Sequence, residues 1–337
     1  MQAQVLVEVT RGPLVENQHR GHVAIVDWQG KLLYSAGDPY YKTFWRSSAK
    51  PVQALPVVEL GAVDHYGISP RELALFCASH NGEVFHTETV LKIFAKIGRD
   101  HTLLQCGVHP PIHKETAKAM LLAGEEPTVL HSNCSGKHSG MLTLVTHLDF
   151  DPSNYLDLNH PVQQIILDYI ADMTGYPREQ IAIGVDGCGV PVHGLPLYNM
   201  SLAYARLARP QGLGKKREEA CARITGAMMA NPEMISGTDG FCTKLMQVGA
   251  GQLIAKGGAA GVYCVGIIDQ GIGITVKCED GASRGREPVV VEILSQLGYL
   301  SVQQVQALED FHHPQNINHR QEKCGEVRPV VKLKQEG

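Results

Sequence analysis

What this chain lacks narrows its function before any motif is read. Lys and Arg number 30 against 34 Asp and Glu, a formal charge of −4 with a pI near 6.5. Without a basic excess, neither nucleic acid nor an anionic membrane surface is an expected partner. No apolar stretch approaches the roughly 20 residues that a membrane-spanning helix needs. The opening residues, Met1-Gln2-Ala3-Gln4-Val5, have neither the basic nor the apolar region of a signal peptide, so a cytoplasmic location is expected. No C-x-x-C occurs among the nine cysteines (Cys77, Cys106, Cys134, Cys188, Cys221, Cys242, Cys264, Cys278 and Cys324), which removes zinc-ribbon and thioredoxin readings. In a reducing compartment most such cysteines are buried thiols, and a minority are metal ligands or nucleophiles. Internal repeats and low-complexity stretches are also missing.

What is present has the composition of an ordinary soluble globular protein, 44% hydrophobic and 19% charged. At 337 residues it is long enough for one large domain or two smaller ones. Val5–Val9 reads as a strand, and His22–Asp27, a Gln29-Gly30 turn and Lys31–Ser35 read as a hairpin. From Arg46 to Leu60 the apolar spacing predicts a helix with Pro51 in its first turn and a kink at Pro56. Helices are expected from Pro70, over Glu88–Ile97, over Gly136–His147 and over His160–Met173. Strands return at Gln252–Lys256, Gly261–Ile268 and Gly273–Lys277, followed by a helix over Pro288–Leu297 and a peripheral polar tail after Pro314. Strands at both ends with helices between them imply an α+β chain. Its sheet-plus-helix domain comprises residues 1–60 and 245–337, and a mainly helical subdomain with inserted site loops comprises 61–244, together one compact catalytic unit.

Three short patches carry the chemistry: Ser47-Ser48-Ala49-Lys50, Ser79-His80-Asn81 and Lys256-Gly257-Gly258. Ser-x-x-Lys, then Ser-x-Asn, then Lys-x-Gly is the motif order of hydrolases that use serine with a lysine base. Ser-x-x-Lys alone arises about once by accident in a chain of this size, so the order matters more than any patch. A serine hydroxyl is a poor nucleophile until a neighbour takes its proton, and a lysine can take it only when uncharged. Positive charge from Lys256 or Arg46 would favour that state; Arg46 could instead bind a substrate carboxylate. The plain alternative is that Ser47 caps a helix and Lys50 is solvated.

A second constellation joins Asn133-Cys134-Ser135-Gly136-Lys137-His138-Ser139-Gly140 to Asp186-Gly187-Cys188-Gly189-Val190-Pro191-Val192-His193. Two cysteines with His138 or His193 could hold zinc with an open fourth position, or both could be buried free thiols. Asp186 lies in a glycine-rich turn, where it could meet an ammonium group or merely cap the turn. Gly136-Lys137-His138-Ser139 is superficially like a phosphate-binding loop but lacks its first glycine and preceding strand. The remaining histidines, among them His109, His113, His160, His312, His313 and His319, have no ligand-like spacing and receive no assignment. The loop Asn231–Gly240 could border a pocket.

The stretches Glu8–Glu16, Arg46-Ser47-x-x-Lys50-Pro51-x-Gln53, Ala78–Glu83, Cys134–His138 and Asp186–Gly189 together resemble the Rhizobium-type L-asparaginases, the asparaginase II (class 3) family, from about Val7 to Gly281. The resemblance implies a fold similar to serine β-lactamases and glutaminases, with a mainly antiparallel sheet flanked by helices. It also implies hydrolysis of L-asparagine to aspartate and ammonia by a homodimer. Ser47 with Lys50 and Ser79 with Lys256 correspond to the family's two catalytic Ser-Lys pairs. Cys134, Lys137 and Cys188 correspond to its zinc ligands (one Zn2+ per subunit), and Arg46, His138 and Asp186 to groups that hold or orient substrate. A lysine ligand is a surprise on chemical grounds, because its amine must lose a proton before it binds metal. Two places depart from the family pattern: Ala260, where glutamate is usual, and Asp239–Thr243. The competing expectations are a β-lactamase-like hydrolase using the same serine and a zinc-dependent binding protein without turnover.

Overall fold

The computed structural model describes residues 2–337 and divides into two compact units. Unit 1 comprises residues up to Ser48, Leu195–Arg209 and Lys244–Gly337; unit 2 comprises Ala49–Gly194 and Pro210–Thr243. Two differences from the expected division stand out. The first crossing comes at Ser48 rather than near residue 60, and the segment Leu195–Arg209 belongs with the sheet rather than with the helices.

Unit 1 is built on a nine-stranded sheet whose order runs Gln315–Ile317, Lys323–Pro329, Gln4–Arg11, Leu14–Asp27, Ile272–Cys278, Val262–Ile267, Leu253–Gly257. Leu32–Ala36 pairs with the far half of Leu14–Asp27, and Lys334–Gln335 pairs with Leu32–Ala36. Every one of the pairings described within it is antiparallel. Leu14–Asp27 is 14 residues long because it serves two partners on one side in succession: residues 14–21 pair with the first strand and 23–26 with the third.

The strand Ile272–Cys278 is buried along its whole length, with no alternation of exposure. The reason is cover on both faces. Gly273 and Thr275 point one way, toward the helix Leu197–Ala208, where Ser201 Oγ donates to Ala24 O at 2.9 Å and lies 2.8 Å from Thr275 Oγ1. Cys278, of opposite parity, faces the helix Ser283–Gln296: a Cβ on Gly285 would lie 3.2 Å from its Sγ. A Cβ on Gly273 would lie 1.8 Å from Ser201 O, so glycine there lets helix and sheet touch. The structure accordingly shows the α+β architecture expected of the sequence, an antiparallel sheet flanked by helices with a helical unit beside it in the chain.

Three expectations need correction. The tail after Pro314 is not peripheral: Val7, Glu8 and Val9 pair with Pro329, Arg328 and Val327, and Val327 and Val331 are buried. Its polar residues face solvent on an edge, which hides the strand from a composition reading. The helix expected over Pro288–Leu297 starts at Ser283, five residues before Pro288, and accommodates the proline internally. The region Arg46–Leu60 is not one kinked helix but a 3₁₀ turn (Arg46–Ala49) followed by two short helices, Lys50–Gln53 and Leu55–Glu59, with the break at Ala54. Pro51 and Pro56 each sit at the start of a short helix, where the missing N–H costs nothing.

In unit 2 the helix Ser135–His147 is almost wholly buried, from Ser135 through Val145. Its glycines allow close approach to the helix Pro70–Phe76: a Cβ on Gly136 would stand 2.2 Å from Leu75 O and 2.7 Å from Leu75 Cγ. The obstacle is backbone, so the helix itself would have to move. Gly136→Ala should therefore lower stability by about 1–3 kcal/mol, read as a fall in the urea midpoint at unchanged slope. An unaltered midpoint would show that the two helices are not held at this distance.

Candidate functional site

In unit 2, the Lys50 ammonium is buried, 1% exposed, and its three protons have three acceptors: Ala78 O at 2.6 Å, Ser79 Oγ at 2.9 Å and Cys134 Sγ at 3.3 Å. A desolvated cation is costly unless it is paired and hydrogen-bonded, and this one is fully bonded. Lys50 thus meets Ser79, 29 residues away in sequence, and the two belong to one site.

The loop carrying Ser79 is tied down from several directions. Ser79 N donates to Ile235 O at 2.9 Å, and Glu83 accepts from Thr238 N at 2.8 Å and Thr238 Oγ1 at 2.7 Å. Asn231–Gly240 therefore braces the Ser79–Glu83 loop; it is held in turn by Thr243, just beyond it, which is fully buried and bonded to Ser236, Pro232 and Gly237. His80 has its Nδ1 taken by Gly82 N–H at 3.1 Å, so its Nε2–H donates to Ser135 Oγ at 2.7 Å, which donates onward to Leu130 O. Burial, the stacked His86 and Lys50 hold His80 well below the usual histidine range, in keeping with this neutral tautomer.

Cys134, Lys137 and Cys188 come together at the start of the Ser135–His147 helix. Lys137 Nζ donates to Cys188 Sγ at 3.0 Å, and the two thiols are hydrogen-bonded to each other. The Cys188 hydrogen bond, opposed by burial and helped by Lys50 and Lys137, holds Cys134 well below the usual thiol range. Cys188 is pushed up by the same bond and by burial, since a second thiolate beside the first is resisted. For Lys137, burial is the largest influence and pulls its amine down, yet the negative fields of Cys134, Cys188 and Asp186 outweigh it, leaving the amine raised. Two buried cysteine sulfurs and a lysine nitrogen, which would ligate once its proton is lost, form a donor set that would suit zinc. The residues fit the ion that the resemblance implies. His193 is held down at about 4 by burial and Lys137, with its Nδ1 buried and unpartnered.

His138 is wholly buried. Gln105 N donates to Tyr155 Oη at 2.9 Å, which leaves the Tyr155 proton to reach His138 Nδ1 at 2.7 Å. The imidazole is then protonated on Nε2, and that buried N–H has no partner among the described residues. A buried donor of this kind suits a carbonyl or carboxylate oxygen of a substrate. Asp186 sits in the tight turn between the strands Ala182–Val185 and Pro191–Pro196, with its N–H bonded to Val190 O and its Oδ1 accepting from Gly187 N. The turn leaves it partly exposed. No phosphate-binding loop is formed: Cys134 is the N-cap of the helix, and no strand leads into it.

The other candidates lie in unit 1. Ser47 is partly exposed inside the 3₁₀ turn Arg46–Ala49, not at the start of a long helix, so a strong helix dipole does not act on it. Ser48 anchors this turn: its Oγ donates to Lys256 O at 2.9 Å, and its carbonyl accepts from Tyr204 Oη at 2.8 Å. Trp45, fully buried, adds a bond from Nε1 to Cys264 Sγ at 3.4 Å. Arg46 has φ of 53°, a left-handed conformation costing a non-glycine residue about 1–2 kcal/mol. The strained residue is held in place by anchored neighbours, Trp45 before it and Ser48 after it. Lys256 is 1% exposed, with Nζ bonded to Gly257 O at 2.7 Å. Ala260 also adopts a left-handed φ, 56°, and its carbonyl accepts from Lys277 Nζ at 2.5 Å, so the departure from glutamate falls at a tight turn.

Sequence reasoning missed Tyr155, Ser135 and the direct bond between Lys50 and Cys134. None has a local signal, since each partner comes from a separate element. Among the described residues no helix is long and apolar enough to cross a membrane.

Comparison with known proteins places this site in context. No curated protein matches the chain. Among solved structures, a β-lactamase from Mycobacterium bovis is similar at 11% identity over 83% of this chain and 95% of that one, with a TM-score of 0.44. Mglu in its native form is similar at 17% identity over 84% of this chain and 65% of that one, with a TM-score of 0.38. The family model for L-asparaginase II matches residues 7–329, nearly the full length. The chain belongs to the L-asparaginase II family and is an amidohydrolase.

Proposed function

We propose that this protein hydrolyses the side-chain amide of L-asparagine to L-aspartate and ammonia through a serine acyl-enzyme. The observation that carries this reading is the buried Lys50 amine 2.9 Å from Ser79 Oγ, joined through Cys134 to the Cys-Lys-Cys cluster. Family membership supplies the reaction class.

In the proposed reaction, Ser47 Oγ bonds to the amide carbon while its proton passes to Lys50, and Ser79 relays a proton from this couple to the departing nitrogen. Ammonia leaves, the ester forms, and water cleaves it by the same route in reverse. Lys256 is the second lysine of the relay. Asp186 faces the substrate α-ammonium, Arg46 its α-carboxylate, and the His138 Nε2–H a substrate oxygen. Cys134, Lys137 and Cys188 would hold zinc, whose positive charge would favour the uncharged amine on Lys50. The resemblance adds a homodimer to this reading.

The test is ammonia release from asparagine and glutamine in parallel, with a chromogenic lactam as a third substrate. Release from asparagine, lost in Ser47→Ala together with any acyl adduct, is the expected result. Lactam hydrolysis with asparagine untouched would replace the reading by a β-lactamase-like one. Zinc uptake without turnover would make the protein a binding module.

A further inference from the structure

A second cluster of ligating side chains lies in unit 1, in the C-terminal segment that follows the helix Ser283–Gln296. One ligand atom each from Glu309, His312 and His313 lies within 4.8 Å of the other two. We propose that these three residues form a second binding site for a divalent transition metal of the zinc class, independent of the Cys134–Lys137–Cys188 cluster.

Two features of His312 favour a metal over a simple surface ion pair. First, His312 is 5% exposed and has its Nε2 committed to Glu292 Oε2 at 2.7 Å. A carboxylate on one ring nitrogen fixes the proton there and leaves the lone pair on the other, the arrangement that supports a metal-bound histidine. Second, that other nitrogen, Nδ1, is buried and without a partner among the described residues. A buried polar atom left unbonded is costly, and a ligated metal would relieve that cost. Glu309 Oε1 and His313 Nδ1 are 3.2 Å apart as an ion pair, whose shared proton a metal would replace. Ligands about 2.0–2.1 Å from a tetrahedral zinc lie roughly 3.3 Å from one another, so two of the three already stand at coordination spacing.

The set is two imidazoles and one carboxylate, suited to zinc, nickel or copper and poorly suited to magnesium or calcium. Glu309 and His312 lie on the short helical turn Glu309–His312, and His313 caps its end, so all three ligands come from one stretch of five residues.

The experiment uses the full chain, stripped with chelator and titrated with Zn2+ alone by calorimetry, with bound metal counted after desalting. In Cys134→Ser/Cys188→Ser protein, one saturable zinc site should remain. Replacing zinc with Co2+ there should give a visible spectrum without a sulfur-to-cobalt charge-transfer band. Glu292→Gln should weaken that site by about 10–100-fold, and His313→Ala should weaken it at least as much. Because His313 is partly exposed, its variant tests the proposal in the otherwise native chain too: the zinc count should fall by one, with amidohydrolase activity kept. If the Cys134→Ser/Cys188→Ser protein takes up no zinc, or if His313→Ala binds it as before, the proposal is overturned. Failure of the cysteine cluster to bind metal would instead leave one equivalent in the native chain, removed by His313→Ala, so the two failures are distinguishable.

Discussion

Replacing Lys50 by methionine is expected to lower kcat on asparagine by about 10²–10⁴-fold, the range for loss of a positioned general base. Methionine keeps most of the buried volume and removes the amine that reaches Ala78 O, Ser79 Oγ and Cys134 Sγ. Those three acceptors lose their donor, so a loss of about 1–3 kcal/mol in stability should accompany the change without unfolding the protein. The sharper comparison is Lys50→Arg. A guanidinium retains charge and donors but does not give up its proton in proteins, so it cannot serve as a base. Both variants should be comparably inactive while KM changes little. Substantial activity in Lys50→Arg would show that the residue acts through its charge, and the proposed proton transfer would then be wrong.

Acidification is expected to unfold this protein from the helical unit outward. His86 and His193 are buried, and each is held down to about 4, chiefly by burial. His80 and His138 are shifted in the same direction for the same leading reason. In the unfolded chain these rings take up protons near 6.5. Between that value and about 4 the unfolded state therefore binds more protons than the native one, so stability rises with pH through this window. The contribution is complete above 6.5 and is lost as pH falls toward 4. For His86 and His193 it amounts to something on the order of 3 kcal/mol each, before the two further histidines are counted. Urea midpoints measured at pH 7.5, 5.5 and 4.5 should fall steeply across the series. A midpoint constant down to pH 4.5 would mean that these rings are hydrated or already charged in the native protein.

Much of the architecture was legible in local pattern. The strand-turn-strand at His22–Ser35, the amphipathic helix ending at Ile97 and the three glycine-separated strands after residue 252 all appear where period and turn chemistry put them. Period fails where burial is uniform or where polarity hides an edge. The sheet segments after Pro314 carry polar residues because they lie at the sheet margin, and only their partners in the first strand reveal them. The helix Leu197–Ala208 looks like one more member of a helical run. It belongs to the sheet because Gly273 lets its backbone settle against a strand about 75 residues further along.

The same division runs through the site. Residue order along the chain determined which side chains carry reactive chemistry: the serine-lysine patches, the Cys-Ser-Gly-Lys-His run and the Asp-Gly-Cys-Gly turn. It also placed Lys137 and Cys134 on one turn, because neighbours three apart share a helix face. Only the tertiary structure decided that Lys50 bonds Ser79 and Cys134, that Tyr155 sets the tautomer of His138, and that Glu292 stands behind His312. Those contacts link elements whose separation is fixed by core packing, and packing is a property of the folded whole that no local window of residues contains.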